Sequence, residues 1–524
     1  MQVKYNMPAL IQKSRASVES LPAPVGGWNA RDSIANMEPT DAYQLDNLVP
    51  TVSSCVLRGG YSKWATGISG KVQTLMNYAA GNSVKLYAIT STGNLYDVTA
   101  SGAVGAPLVT GLTSGFWEYV NFSTTGGNFL YAVNGVDKPI LFDGTTWERV
   151  DGASAHAITG ITSTLLANIT VFKNRIWFIE KYTLKAWYLP TSSVGGAAQF
   201  VDLRTVAKWG GHLVDLDTWT IDAGYGIDDN LVFITSMGEV IIYRGTDPSN
   251  ISTWSLTGVW KLGSPIGGRA MMKYGGDLLI LTYDGLIPMA QALQSSRLDP
   301  RVALSNKIQG AITEATTQYG SHTSTGWQIF YTAKNNAVWV NIPVQDDLQE
   351  QYVMNTITQS WCRFTGWGAY CWEIYNDDPY FGGNGYVAKA WTTDYKDDAL
   401  PINTTALQAF NYFGSRGVKK YFTRCRPTIF TDGVPSVSLS INVDFNISNI
   451  TAPITTSPLP AAGVWDTARW DSGTWGGGMN VQSGWQGIAG IGFCGGPVFK
   501  SSTNSIQLEW ASTDIVYQSG WGGI

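Results

Sequence analysis

Seven short apolar hairpins recur through the middle of the chain, and their rhythm limits the possible folds more than any other feature. The first joins Leu86-Tyr87-Ala88-Ile89 to Leu95-Tyr96-Asp97-Val98 across Thr92-Gly93-Asn94. A later one joins Leu231-Val232-Phe233-Ile234 to Val240-Ile241-Ile242-Tyr243 across Met237-Gly238. The seven begin at residues 86, 130, 176, 231, 278, 329 and 380, a mean spacing of about 49 residues, in the range of propeller blades. Asn134-Gly135 and Asp284-Gly285 supply the positive φ that tight hairpins need. The strands are apolar on both faces, as strands packed between two neighbouring blades must be. Unrelated hairpins of a sandwich are the competing interpretation. The reading is an all-β chain with a β-propeller of about seven blades, six or eight also fitting the degenerate repeat.

The segments on either side differ. Residues 1–65 lack sustained periodicity and contain the turn-rich stretch Leu21-Pro22-Ala23-Pro24-Val25-Gly26-Gly27. They read as an extended N-terminal arm lying on a neighbouring domain or subunit. Ala42, Leu45 and Leu48 fall on one side of a short helix over 39–48. Residues 66–399 form the propeller. From 400 to 524 the pattern changes to period-two alternation, clearest in Val437-Ser438-Leu439-Ser440-Ile441-Asn442-Val443-Asp444-Phe445. A further strand runs from Lys419 to Phe430 and is broken by Pro427. This region reads as a β-sandwich-like domain. No run of roughly 18 apolar residues exists, so no membrane-spanning helix is expected, and residues 1–20 lack the apolar stretch of a secretory signal.

Catalytic signatures are sparse. The three histidines, His156, His212 and His322, stand far apart, and no metal-binding spacing includes them. The five cysteines, Cys55, Cys362, Cys371, Cys425 and Cys494, form no CxxC pair and read as buried reduced thiols, although Cys362 and Cys371 could face each other across a hairpin. Gly476-Gly477-Gly478 opens no amphipathic helix and reads as loop. Asp215 and Asp217 share a strand face, while Asp228-Asp229 and Asp377-Asp378 lie beside turns. Such pairs suit glycoside hydrolysis only with two carboxyls about 5–10 Å apart, and acidic turns are usually solvated. Asp471-Ser472-Gly473-Thr474-Trp475 is one residue short of a sialidase Asp box. No cofactor or metal is expected, and the chain reads as a non-enzyme.

Two further features point to assembly. Trp465, Trp470 and Trp475 recur every five residues, with Trp485 following. That step fits neither a helix nor a flat strand. It suits subunit-interface or core packing, or else a stacking platform for sugars or an interfacial anchor. The net charge of −5 and a charged fraction of 14%, against a typical value of about 25%, lack the basic footprint of a phosphate-gripping protein.

The arm carries Val25-Gly26-Gly27-Trp28-Asn29-Ala30-Arg31-Asp32-Ser33, then Leu45-Asp46-Asn47-Leu48, and closes on Arg58-Gly59-Gly60-Tyr61. With the Trp-Asp repeat, the Val437–Phe445 strand and the final Trp510-Ala511-Ser512-Thr513-Asp514-Ile515-Val516-Tyr517, it resembles short-tailed bacteriophage (podovirus) tail hub and nozzle proteins. That class includes the packaged-DNA-stabilisation and tail tubular protein B-like proteins. The matches lie at the two ends and cover about a third of the chain; they transfer no catalytic residues. The resemblance implies a virion protein assembled in the bacterial cytoplasm as a homohexameric ring below a head–tail adaptor. Fibres or a needle would dock on it, and double-stranded DNA would pass through its lumen without sequence-specific binding. Trp28, Asn29, Arg31, Asp32, Arg58, Trp465, Trp470 and Trp475 are the expected assembly contacts. A receptor-binding or glycan-degrading propeller of the same tail is the alternative.

Overall fold

A computed structural model describes residues 16–81, 83–222, 227–250, 252–292, 300–320, 325–345, 347–448 and 479–520. Side chains are additionally left undescribed at 221, 222, 227, 228 and 300. The chain divides into two compact units, one of residues 58–400 and one that joins 1–57 to 401–524.

The first unit is a seven-bladed propeller. Its innermost strands are residues 72–80 and then Glu118–Thr124, Leu166–Phe172, Leu213–Asp222, Met271–Tyr274, Gln328–Thr332 and Cys371–Tyr375. Each adjoins the next, and the seventh adjoins the first, so the ring closes. From each inner strand an antiparallel sheet runs outward. Blade 4, for example, is Leu213–Asp222, Ile227–Thr235, Glu239–Gly245 and Trp254–Lys261. The middle strands are the apolar hairpins of the sequence. Leu231, Val232, Phe233 and Ile234 are all fully buried, because one face of the blade packs on blade 3 and the other on blade 5. At about 25 cal/mol per Å² of buried apolar surface, these interblade layers are the main source of stability.

Ring closure depends on one long strand, Gly60–Ala80. Its first part pairs with Asn384–Thr392 as the outermost strand of blade 7, from Gly60 opposite Thr392 to Lys71 opposite Asn384. Its second part, from Val72 opposite Thr90, is the innermost strand of blade 1. The strand makes this transition at Gly67 and Gly70, whose φ values of +77° and +88° only glycine adopts without strain. The propeller therefore begins at residue 58 rather than 66, because residues 60–65 supply its closing strand.

Two irregularities shift the repeat. Ile329-Phe330-Tyr331 is an inner strand and pairs with Ala337–Gln345, so the sixth hairpin lies one strand further in than the others. Among the described residues, blade 5 has three strands. Leu304 and Ser305 cover its outer edge, the Leu304 amide donating to Leu286 O (2.9 Å) and the Leu286 amide to Ser305 Oγ (3.0 Å). The helix Gln309–Tyr319 follows.

The second unit is a sandwich of two sheets. One contains Asp41–Asp46, Leu400–Gln408, Gly495–Thr503 and Ser436–Val443. The other centres on Lys420–Thr431 paired with Leu508–Ser519. Phe499 and Trp510, both fully buried, stack between them with ring centroids 4.5 Å apart. The arm is woven into both sheets. Ala16–Pro22 pairs along Leu508–Ser519, and residues 41–46 form a strand, not the expected helix turn. A register shift between Ala42 and Gln44 reverses the facing of the strand at Tyr43, so Ala42 and Leu45 are both buried despite their odd spacing. Lys420–Thr431 continues through Pro427 instead of breaking there, with a register shift at Thr428/Ile429. All five cysteines are buried and none forms a disulfide, so Cys362 and Cys371 are not bridged. Among the described residues, no helix is long and apolar enough to cross a membrane.

Candidate functional site: the propeller channel

The seven inner strands surround a cavity of about 660 Å³ on the propeller axis. Alternation along each strand turns every second side chain toward it. Asp215 and Asp217 lie two apart on one strand and both line it, joined by Glu118, Glu373, Arg269 and Lys273.

These charges are tied to one another or to the backbone. Asp215, 6% exposed, accepts hydrogen bonds from Asn168 Nδ2 (2.8 Å), the Leu216 amide (2.8 Å), the Ala270 amide (3.0 Å) and the Met271 amide (2.9 Å). It thereby fastens blades 3, 4 and 5 together. Burial holds its pKa well above the usual carboxylate range, and Glu118 and Asp217 push the same way. Asp217 pairs with Lys273 at 3.2 Å, and burial raises it too. Arg269 donates to Glu118 Oε1 (2.8 Å), Trp117 O (2.7 Å) and Thr74 Oγ1 (3.0 Å), and its guanidinium stacks over Phe116 at 4.5 Å. Tyr119 donates to Glu373 Oε2 at 2.7 Å. Burial lifts Glu373 to about 7, against the opposing pull of that hydrogen bond and of Arg269.

The arrangement bridges blades. Glycoside hydrolysis needs one carboxyl able to donate a proton and another free to act as nucleophile or base. Here Asp215 has four donors and Asp217 holds a lysine. Of the other acidic pairs, Asp229 is held by Lys173 (2.7 Å) and Asp378 by Lys334 and Lys389 (both 2.5 Å); the Asp228 side chain lies outside the described residues. His156 pairs with Glu148 at 2.7 Å, and His212 packs edge-on against Tyr182; His322 lies outside the described residues. No cluster of three or more metal-binding side chains occurs among the described residues.

The residues expected at assembly contacts divide into three groups. Trp28, Asn29 and Arg58 are buried within the chain, at 7%, 0% and 1% exposure. Asn29 anchors a turn, its Oδ1 accepting from the amides of Arg31 (3.1 Å) and Asp32 (3.0 Å) while its Nδ2 donates to Asp41 (2.8 Å). Arg31 and Asp32 remain at the surface, paired with each other at 2.8 Å. Trp465, Trp470 and Trp475 lie outside the described residues. Sequence reading found Asp215 and Asp217 but missed Glu118, Arg269 and Glu373. These belong to the less apolar inner strands or the turns before them, and the available signal was the short polar–apolar alternation upstream of each hairpin.

No family model and no curated protein sequence matches the chain. Among solved structures it is similar to PorZ of Porphyromonas gingivalis, with 14% identity and a TM-score of 0.35 over 67% of this chain and 43% of that one. It is similar to Raptor of Chaetomium thermophilum, with 8% identity and a TM-score of 0.39 over 64% and 29%. The β-propeller domain of Myceliophteria thermophila Cps50 (Swd1) gives 14% and 0.38 over 63% and 99%. The chain thus spans less than two thirds of PorZ and of Raptor.

Proposed function

We propose that this chain is a structural subunit of the tail of a short-tailed bacteriophage, forming the hub or nozzle ring through which DNA is retained and then ejected. One observation carries the reading. The two segments that resemble the nozzle class, at opposite ends of the sequence, are hydrogen-bonded partners in one sandwich. Leu21 lies opposite Thr513, the Ala23 amide donates to Ala511 O (2.9 Å), and Cys55 lies opposite Trp510. Most of the described residues that carry the resemblance therefore fall on one sandwich, while Arg58-Gly59-Gly60-Tyr61 opens the propeller and the Trp-Asp repeat lies outside the described residues.

The channel charges favour a conduit formed between copies rather than through each propeller, since the Arg269–Glu118 pair joins the start of blade 5 to blade 2 across the axial cavity. A net charge of −5 leaves duplex DNA unattracted and free to slide. Mass photometry and negative-stain microscopy of the chain mixed with the phage's head–tail adaptor test the reading. A closed, sixfold ring is expected; a chain that stays monomeric with the adaptor overturns it.

A further inference from the structure

A second cavity, of about 250 Å³, opens where the inner strands of blades 1, 2, 6 and 7 begin. It shares no lining residue with the axial cavity. Phe116 lines it while its stacking partner Arg269 lines the other, so that pair stands between the two. Its walls carry Phe116 and Tyr370, the amides of Gln73, Gln345 and Gln349, and Lys71.

Gln349 is the decisive residue. It is 2% exposed, and its Oε1 is buried without a hydrogen-bond partner. Its Nε2 makes one long contact, 3.4 Å, to Gln345 O. A buried acceptor left unsatisfied costs about 1–3 kcal/mol, so its retention needs a reason. The surroundings are also shaped toward the cavity. Gln73 sits at a bulge, in the register shift between Val72 and Thr74, and Gln345 follows another, between Pro343 and Gln345. Bulges re-aim side chains in this way beside binding sites. Gly115 makes room for Gln73, since a Cβ there would lie 2.5 Å from Gln73 Oε1.

We infer that this pocket binds a single neutral sugar residue of a glycan. Gln349 lines the pocket with its acceptor unpartnered, so a ligand that brings a donor suits it better than a simple anion, which lacks one. The Lys71 ammonium, 5.4 Å from the Tyr370 ring centroid, disfavours a cation, and among the described residues no carboxylate lines the pocket. A hydroxyl-rich ring both donates and accepts, matching three amides, and its C–H face suits aromatic walls. A site built around such bonds rejects analogues that cannot make them. The inference is independent of ring assembly.

The test is saturation-transfer NMR and calorimetry of the full chain with glucose, galactose, N-acetylglucosamine and their linear trisaccharides. At least one is expected to bind in the millimolar to micromolar range. Gln349→Leu should weaken that binding at least about tenfold, the value of one such hydrogen bond, with Tm unchanged or raised. Gln345→Ala, at an exposed position, should weaken it as well if Gln349→Leu does not fold. Binding of none of these sugars, sugar binding indifferent to both substitutions, or tighter binding of inorganic phosphate or a glycine-rich peptide overturns the assignment.

Discussion

Arg58 and Asp397 form a bidentate ion pair inside the propeller unit, with Nη1 2.8 Å from Oδ1 and Nη2 2.5 Å from Oδ2. The guanidinium also donates to Thr365 O (2.8 Å) and lies 4.6 Å over the Trp367 ring. The pair locks the start of the closing strand to the end of blade 7. Removing one partner strands a buried charge, at a cost of about 3–5 kcal/mol. Asp397→Asn and Arg58→Met should each lower stability by that order in urea unfolding. Arg58→Lys should restore little, because a lysine cannot make the planar two-bond contact.

Asp215→Asn should destabilise the propeller by about 2–3 kcal/mol. The new amide turns two N–H donors toward a site built from donors, leaving buried N–H groups unsatisfied. Hydrogen exchange should show the loss at Ala270 and Met271. Under the structural reading, host adsorption by phage carrying this change, Asp217→Asn or Asp377→Asn should fall no further than the drop in folded protein explains. A larger loss favours the glycan-degrading alternative.

Glu373 makes stability depend on pH in an unusual direction. Its folded pKa of about 7 lies above the ordinary value of 4.5 for a glutamate in the unfolded chain, so between these values the native state binds the proton and the unfolded chain does not. The stabilisation is fully present below pH 4.5 and is lost as pH rises through 7. Because Glu373 is partly open to the channel, the loss should be on the order of 1–3 kcal/mol. Glu373→Gln should flatten the stability profile between pH 4.5 and 7.

In the arm, Asn29→Ala removes the anchor of a buried turn and should cost about 1–3 kcal/mol in the sandwich unit. Arg31→Ala breaks only a surface pair with Asp32 and should change stability by less than about 1 kcal/mol. Loss of ring assembly in Arg31→Ala at unchanged Tm would identify Arg31 as a contact between copies.

The blade rhythm was legible because middle strands such as Leu278-Leu279-Ile280-Leu281 are apolar on both faces, and all four of these residues are fully buried. The inner strands were not, because channel-facing charges such as Glu118 and Asp217 interrupt the apolar run and imitate turns. Tyr43 misled for a different reason: a one-residue bulge gives a strand the spacing of a helix. The axial cluster was half legible. Asp215 and Asp217 are neighbours in sequence, but Arg269 and Glu118 stand 151 residues apart, and only ring closure brings them together.

The strand Gly60–Ala80 also sets a timetable. Its outer half finds no antiparallel partner until Asn384–Thr392 has been made, about 330 residues later; before that it has the short parallel bridge of Ala65 and Thr66 to Gly102 and Ala103. At roughly 5–20 residues per second, translation takes tens of seconds to reach that point. Throughout that interval the nascent chain presents an open β edge, a template for the wrong neighbour. The last blade is therefore a deadline for the first strand, and crowded copies of this chain on one message run the greatest risk of exchanging closing strands.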